Sequence, residues 1–321
     1  MTSRERVLRA IKGEPRDRTP IYGWVSANLT DEISEVYGSI AAFEDKYEFD
    51  TAHIFGGPAP FDRAQITALQ NRHEELTPDI LLQEGFFRPA SAGNWDSVKK
   101  SLAHHRARDR FCYMQTPGFF EYFNNIFGIQ NQLMYLLMYT DELTELYRRQ
   151  AEWIIGYADI CIDLGVDCVH ISDDWGSQRD LMFSPTLWRE MIKPNLKRVI
   201  DHVHGRGCLV SLHSDGCIDR ITDDLAEMGF DMIHPWQESA GMSYEIYLSK
   251  YADSFAILGG VCVQTQLGIM PRDQLEAEIR RVFRTLRGKR WICCTTHFVQ
   301  KHCSMDELKF AFDLIYKLAR E

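Results

Sequence analysis

Two stretches in the second half of the chain end in side chains that can bind a metal ion or move a proton. Residues 210–216 read VSLHSDG and residues 292–297 read ICCTTH. Apolar, β-rich runs of this kind are typical of buried parallel strands, and in α/β barrels the C-terminal ends of such strands carry the active site. We therefore expect His213, Asp215 and His297 to converge on a single point, provided that both strands belong to one barrel.

These three residues also have ordinary structural interpretations. A buried histidine is often a hydrogen-bonded core residue, and Asp215 can cap the turn that begins at Gly216. The position of both histidines at predicted strand ends favours the functional interpretation. Cys262, which follows a pair of glycines, is a reserve metal ligand.

The arrangement of apolar segments predicts an α/β fold. Amphipathic stretches alternate with β-type runs, as in residues 140–164, for which Thr140 is the expected cap, and in a helix beginning at Ser184 and Pro185. Strands are predicted at eight places, which are 20–24, 49–55, 111–115, 168–172, 208–213, 232–235, 255–261 and 291–296. Strand followed by helix eight times indicates a (β/α)₈ TIM barrel. A doubly wound open sheet has the same alternation, but its dinucleotide-binding form lacks support because no GxGxxG motif opens the first helix.

Length and composition indicate one large domain. The chain has 321 residues, and we expect residues 1–321 to form a single barrel domain. Residues 56–109 are weakly periodic and contain four prolines, so we expect an insertion or lid after the second strand.

Charge and cysteine content exclude several functional classes. The net charge of −10 argues against a nucleic-acid partner, and no apolar run is long enough for a membrane span. The N-terminus reads as a charged helix without a signal peptide, which predicts a cytoplasmic protein. Nine cysteines without a CxxC pair fit reduced core thiols.

Further polar residues at predicted strand ends are candidates for acid–base chemistry. Asp173 and Asp174 end the fourth predicted strand, and adjacent strand residues point to opposite faces, so one of them is expected to face the pocket. Glu238, after the sixth predicted strand, is a candidate acid, base or fourth metal ligand, or else a solvated loop carboxylate. Tyr122 is a further catalytic candidate.

Aromatic residues near the predicted barrel mouth suggest an apolar substrate pocket. Tyr22 and Trp24 lie at the first predicted strand, and Phe119 and Phe120 follow the third. We predict that these four, with Gln237, bind the substrate, although barrel packing is an equally ordinary use of aromatic side chains.

Several short motifs together resemble the uroporphyrinogen decarboxylase superfamily. They extend over nearly the whole chain and lie at 4–11, 16–20, 171–176, 184–185, 193–194, 213–216, 227–231, 234–237 and 259–261. This superfamily contains two chemistries on one barrel, which are cofactor-free decarboxylation of a porphyrinogen and cobalamin-dependent methyl transfer with zinc. Decarboxylases carry an RQAGR motif after the first strand, whose arginines hold substrate carboxylates. Residues 21–28 of this chain read IYGWVSAN and contain no arginine, which counts against a porphyrinogen substrate.

The resemblance implies a metal site at the residues singled out above. In the zinc-containing methyltransferases, a His-x-Cys pair and a later Cys hold zinc, and these positions fall on His213, Asp215 and His297. A His/Asp/His set is harder than a thiolate set and favours an oxygen leaving group over a thiol. We therefore predict O-demethylation of a small methoxyarene, with the methyl group passing to the Co(I) of a cobalamin.

The corrinoid is expected on another polypeptide, because the chain lacks the DxHxxG pattern of corrinoid-carrying domains. This partner would dock at the barrel mouth, and the resemblance implies a monomer or a homodimer. Two alternatives stay open. Without metal, His297, Tyr122 and an aspartate could protonate a carbanion-like intermediate in a decarboxylase that acts on a porphyrinogen or a smaller carboxylic acid. The chain could also be a non-catalytic binding subunit.

Overall fold

The computed structural model describes residues 1–85 and 87–321. In these residues, strands β1 to β7 form one parallel sheet in which every strand pairs with its neighbours in chain order. The strands are β1 (Thr51–Ile54), β2 (Phe111–Pro117), β3 (Cys168–Ser172), β4 (Leu209–His213), β5 (Met232–His234), β6 (Ala256–Val261) and β7 (Trp291–Thr295). All carboxyl ends therefore lie at one edge, where α/β folds place their sites.

Helices connect the strands and cover the sheet. They are α1 (Ser3–Lys12), α2 (Thr30–Tyr37), α3 (Ile40–Lys46), α4 (Arg63–Arg72), α5 (Pro78–Glu84), α6 (Asp96–Arg106), α7 (Phe120–Phe127), α8 (Ile129–Met138), α9 (Thr140–Leu164), α10 (Pro185–Leu187), α11 (Lys193–Gly205), α12 (Thr222–Met228), α13 (Tyr244–Ile246), α14 (Arg272–Leu286) and α15 (Met305–Leu318). Short 3₁₀ turns occupy 90–92, 219–221 and 238–240, and π-helical turns occupy 188–192 and 247–251. No helix of the described residues is long and apolar enough to span a membrane.

Two predicted helix starts have different outcomes. The predicted bounds of the 140–164 helix agree with α9, but Thr140 is its first residue and its hydroxyl donates to the carbonyl of Leu136 at 3.0 Å. The expected cap at Thr140 is therefore wrong. At α10, the Ser184 hydroxyl accepts from the N–H of Thr186 and Pro185 follows it, as predicted.

The predicted first strand is not a strand in the structure. Within residues 20–24, Ile21 alone forms a bridge, to Cys293 of β7. The N–H of Ile21 donates to the Asp50 carboxylate at 2.8 Å, and that of Trp24 donates to the Thr295 hydroxyl at 2.9 Å. Because side chains take these two donors, the backbone ladder that defines a strand does not extend.

The same segment nevertheless joins the two ends of the sheet. Tyr22 donates its N–H to the carbonyl of Cys293 at 2.8 Å, and the N–H of Asp50, just before β1, donates to the carbonyl of Ile21 at 2.9 Å. The fold is thus an α/β sheet of seven described strands with a bridging segment, in place of the expected eight strands.

The segment predicted as an insertion or lid is largely helical. Residues 56–109 contain α4, α5 and α6. Its first residues, 56–60, border a cavity beside the carboxyl ends of β1 and β2. A closing motion of this segment stays a prediction.

Candidate metal centre and its cavity

The three predicted ligands come together at the carboxyl edge of the sheet. His213 ends β4, Asp215 lies two residues beyond it, and His297 lies two residues beyond β7. One ligand atom from each lies within 4.8 Å of the others. His213 is 4 % exposed, whereas Asp215 and His297 are partly exposed, so the cluster has a buried side and an open side.

Hydrogen bonds fix which nitrogen of His213 is free. His234 Nε2 lies 3.0 Å from the carbonyl of Thr295, which can only accept, so this nitrogen carries the proton. Burial lowers the pKa of His234 well below its usual value, so the ring is neutral and its Nδ1 is an acceptor. His213 Nδ1 lies 2.8 Å from His234 Nδ1 and therefore donates to it. His213 Nε2 is left with an unshared electron pair.

Carboxylates surround this free nitrogen. His213 Nε2 lies 3.7 Å from Asp174 Oδ1 and 3.9 Å from Asp215 Oδ1. Burial and the negative charge of Asp174 raise the pKa of Asp215 to about 7, against the opposing influence of His297. Burial also lowers the pKa of His213 and of His297. Two acidic groups and two neutral imidazoles thus face one another, an arrangement that a divalent cation would stabilise.

Of the two adjacent aspartates, Asp174 is the one beside His213. Asp173 is fully buried and accepts the backbone N–H groups of Phe119 at 2.7 Å, Phe120 at 3.2 Å and Glu121 at 2.7 Å. Burial raises the pKa of Asp173 to about 7, although these three donors act in the opposite direction. Both of its oxygens hold the start of α7, so the structure gives it an anchoring position in place of the expected catalytic one.

Trp24 packs directly on the two candidate ligand histidines and on His234. Its ring centroid lies 4.3 Å from that of His234, 5.2 Å from that of His213 and 5.7 Å from that of His297. Its Nε1 donates to the Tyr113 hydroxyl at 2.9 Å, which fixes the indole plane. Tyr22 is a core residue whose hydroxyl accepts the N–H of His53 at 3.2 Å. Trp24 therefore packs against the rings of the cluster, whereas Tyr22 is part of the core and not of the predicted substrate pocket.

A cavity of about 310 Å³ lies beside β1, β2 and β3, and its volume is near the lower end of the range for small-ligand pockets. Tyr122 is in its wall, with its hydroxyl accepting the N–H of Phe61 at 3.2 Å. The predicted pocket residues Phe119 and Phe120 are fully buried and do not line it. Its lining consists of Phe55, Gly56, Gly57, Pro58, Ala59, Pro60, Gln115, Pro117, Gly118, Glu121, Tyr122, Asn125, Tyr157 and Ser172. Among these described residues there is no lysine, arginine or histidine.

The remaining predicted site residues lie outside the cluster. Gln237 Oε1 accepts the N–H of Gly216 at 2.8 Å, so Gln237 holds the turn after Asp215 and does not line the cavity. Gly216 has a φ of +80°, and an added Cβ would lie 2.5 Å from the carbonyl oxygen of Ser177, so the tight turn requires glycine. The Glu238 carboxylate pairs with the guanidinium of Arg281. Cys262 Sγ contacts the Ser239 hydroxyl at 3.4 Å and is not part of the group formed by His213, Asp215 and His297.

Sequence reasoning missed two residues of the site. His234 ends β5 in register with His213, and the repetition of histidine at the ends of two successive strands was a usable signal. Glu121 lies within the aromatic run 119–123, whose composition indicates packing or a substrate pocket and gives no sign of an acid–base role.

The family model of uroporphyrinogen decarboxylase (URO-D) matches residues 121–318, which is more than half of the chain. The protein belongs to the uroporphyrinogen decarboxylase family. The matched region contains Glu121, Asp174 and the three clustered metal-ligand candidates. A comparison with curated protein sequences gives no significant match.

Solved structures with a similar fold come from several enzymes. A methyltransferase from Methanosarcina mazei superposes with a TM-score of 0.67 at 16 % identity, over 98 % of each chain. A sugar phosphate isomerase/epimerase from Parabacteroides distasonis gives a TM-score of 0.51 at 11 % identity, over 95 % of this chain and 97 % of that one. At these identities the likeness establishes the fold alone.

Proposed function

We propose that this protein is the methyltransferase component of a corrinoid-dependent O-demethylase. It would move a methyl group from a small methylated substrate, with a methoxyarene favoured, to the Co(I) of a corrinoid on a partner protein that docks at the carboxyl edge of the sheet. The observation that carries the proposal is the convergence of His213, Asp215 and His297 within 4.8 Å. Family membership and the fold shared with the Methanosarcina methyltransferase support it.

The donor set fits a zinc ion. Two neutral imidazoles and one carboxylate are common ligands of catalytic zinc, which keeps a further position open for substrate. His213 Nε2 has its electron pair free, because His234 occupies the other nitrogen. When bound, the metal would act as a Lewis acid towards the leaving oxygen of the substrate.

The surrounding residues keep the ligands in place. His234 and Trp24 hold the His213 ring, and Asp174 Oδ1 accepts the N–H of Asp215 at 2.8 Å and fixes the start of its turn. Such contacts behind the ligands set metal affinity and geometry. The neighbouring cavity, whose lining described above contains no basic side chain, offers space for the neutral body of the substrate.

The alternative of a decarboxylase has less support from the cavity. A carboxylate or polycarboxylate substrate needs guanidinium or ammonium partners when it is removed from water. The lining residues described above offer none, and residues 21–28 contain no arginine. A neutral ether would not leave a buried charge unpaired in this cavity.

A methyl-transfer assay tests the proposal. The zinc-loaded protein is mixed with free Co(I) cobalamin and a panel of methoxyarenes, and formation of the methylated corrinoid is followed by absorbance. We expect transfer from at least one neutral ether, and none from the same ether when His213→Ala protein is used. Absence of transfer across the panel with one zinc bound per chain would refute the proposed function.

A further inference from the structure

Glu121 is a polar residue of the cavity. It is the second residue of α7 and lines the cavity. Its Oε2 accepts the hydroxyl hydrogen of Ser172 at 3.1 Å. Its backbone N–H is held by Asp173 at 2.7 Å, which sets the direction of the first turn of α7.

Ser172 relates the position of this carboxyl to that of His213. Ser172 ends β3 and is the register partner of His213 on β4, and neighbouring strands lie about 4.8 Å apart. Two residues further along, Asp174 Oδ1 lies 3.7 Å from His213 Nε2. Glu121 and the metal-ligand candidates therefore border the same carboxyl end of adjacent strands.

The surroundings of Glu121 favour its protonated form. The charged groups of the protein that act on it are all acidic, namely Asp174, Asp173 and Asp215. The other polar side chains of the cavity wall are uncharged, and they are those of Gln115, Tyr122, Asn125, Tyr157 and Ser172. Burial, followed by the charges of Asp174 and Asp173, raises the pKa of Glu121 to about 7. A carboxyl group with a pKa near the working pH is well suited to donate a proton and regain it.

We propose that Glu121 is a catalytic proton donor, whose carboxyl protonates the oxygen released from a neutral methyl ether bound in this cavity. The inference rests on the proposed function and adds a residue to it. The bond between the methyl carbon and the ether oxygen breaks, and its electron pair goes to the oxygen. The methyl group would pass to the Co(I) of the partner's corrinoid, which would supply the electron pair of the new bond and be oxidised to Co(III). Glu121 gives its proton to the oxygen, which leaves as a neutral phenol or alcohol, and the carboxylate regains a proton from solvent.

The test compares wild-type protein with Glu121→Gln across ethers whose phenols differ in acidity. Glutamine keeps the size of the side chain but cannot give up a proton. We expect Glu121→Gln to slow methyl transfer by about 10²–10⁴-fold for the least acidic phenol, with a smaller effect as the phenol becomes more acidic and needs less assistance. Glu190→Gln, an exposed glutamate outside the site, is the matched control and should keep the wild-type rate.

Two further measurements separate the possible outcomes. Zinc content of Glu121→Gln should equal that of the wild type. The protonated-carboxyl absorption in the wild-type infrared spectrum at pH 6 should lose the contribution of one group in Glu121→Gln and stay unchanged in Glu190→Gln. If the wild type transfers methyl groups but Glu121→Gln slows all ethers equally or not at all, Glu121 is not the proton donor while the proposed function stands. If the wild type transfers no methyl group from any ether, both proposals fail together.

Discussion

At the scale of single residues, the proposed metal centre depends on which nitrogen of each imidazole carries its proton. The carbonyl of Thr295 fixes the proton of His234 on Nε2, and His234 in turn fixes the proton of His213 on Nδ1. A neutral histidine can bind a metal only through its unprotonated nitrogen. The carbonyl oxygen of Thr295 on β7 thereby fixes the tautomer of His213 on β4, although the two residues are linked only through His234.

Removal of His213 should abolish metal binding while leaving the fold intact. Alanine at this position takes away the buried nitrogen donor of the cluster, and Asp215 and His297 alone offer too few ligands for tight binding. We expect bound zinc, measured by elemental analysis after dialysis, to fall from about one per chain to near zero. His302→Ala, at an exposed position, should keep its zinc. Full zinc content in His213→Ala would show that His213 is not a ligand of the bound zinc.

Substitution of His234 should lower the metal affinity of the site without removing a ligand. Leucine at this position cannot accept the Nδ1 proton of His213, so the orientation and tautomer of the ligand are no longer fixed. Loss of such a supporting contact typically costs about 10–100-fold in metal affinity, which competition with a chromogenic chelator would measure. His170→Leu is the matched control, because His170 is equally buried but bonds to Ser211, at 2.7 Å. Equal weakening in both variants would argue against a specific role of His234.

The raised pKa of Glu121 predicts a pH dependence of stability in the metal-free protein. Its ordinary pKa of 4.5 applies to the unfolded chain and its folded pKa is about 7, so between these values the folded state binds a proton that the unfolded state has lost. Stability from this group is complete below about pH 4.5 and is lost as the pH rises through 7. Each such proton corresponds to about 1.4 kcal/mol per pH unit.

Urea denaturation between pH 5 and pH 7 checks this dependence. The free energy of unfolding should fall with rising pH in the wild type and fall less steeply in Glu121→Gln, with zinc kept out by a chelator. Glu190→Gln should follow the wild-type slope. An identical slope in Glu121→Gln would show that this carboxyl does not keep its proton in the folded state.

The sequence predicted part of this site for a physical reason. His213, Asp215 and His297 follow strand-like runs, and parallel strands bring their carboxyl ends together whatever the intervening chain. The tautomer of His234, by contrast, depends on a carbonyl 61 residues away. The environment of Glu121 depends on carboxylates of other elements, which no local pattern indicates.

At the scale of elements, α7 is the feature that places Glu121. Gly118 allows this segment to approach Asp173 so closely that an added Cβ would lie 2.3 Å from the Asp173 side chain. The carboxylate of Asp173 then takes three N–H groups that the first turn of a helix leaves without partners. The end of β3 therefore determines where α7 begins and which way Glu121 points.

Replacement of Asp173 by asparagine should destabilise the protein and disturb its site together. Asparagine keeps one acceptor oxygen but brings an amide against buried N–H donors, so at least one donor loses its partner at a cost of about 1–3 kcal/mol. Urea denaturation should show this loss, and methyl transfer should slow because Glu121 is displaced. Asp273→Asn, an exposed first-turn residue of α14, should change stability by less than about 0.5 kcal/mol. If Asp173→Asn is as stable as the wild type, Asp173 does not anchor the start of α7.

Strand predictions succeeded where the backbone pairs with backbone. Seven of the predicted runs overlap β1 to β7, because continuous burial of apolar residues is what a parallel sheet requires. The run at 20–24 has the same apolar character, but the N–H groups of Ile21 and Trp24 donate to the side chains of Asp50 and Thr295. Hydropathy alone does not distinguish these two uses of a buried extended segment.

At the scale of the whole molecule, a buried charge network joins the two ends of the sheet. Asp50 is fully buried and accepts from Arg6 at 2.5 Å, from Arg18 at 2.6 Å and from the N–H of Ile21 at 2.8 Å. One carboxylate thus ties α1 and the bridging segment to the start of β1. The segment also leads to Trp24, so the closure of the sheet and the support of the metal ligands share the same residues.

Loss of the Asp50 carboxylate should therefore destabilise the entire fold. Asp50→Ala leaves two guanidinium groups, each less than a tenth exposed, without their buried partner, and breaking a buried pair in this way costs about 3–5 kcal/mol. Arg6 keeps its second partner Asp17 at 2.6 Å, which places the expected loss near the lower end of that range. The free energy of unfolding, obtained from urea denaturation at neutral pH, measures it.

The control for this variant is a surface ion pair. Asp201→Ala removes the exposed partner of Lys197, and such pairs contribute about 0–1 kcal/mol. If Asp50→Ala costs no more than Asp201→Ala, the bridging segment does not depend on the buried network, and the backbone bonds of residues 20–22 to β7 alone must hold the ends of the sheet together. If it costs several times more and also lowers zinc affinity, closure of the sheet and formation of the metal centre are one cooperative property of the molecule, because Trp24 lies on the same segment.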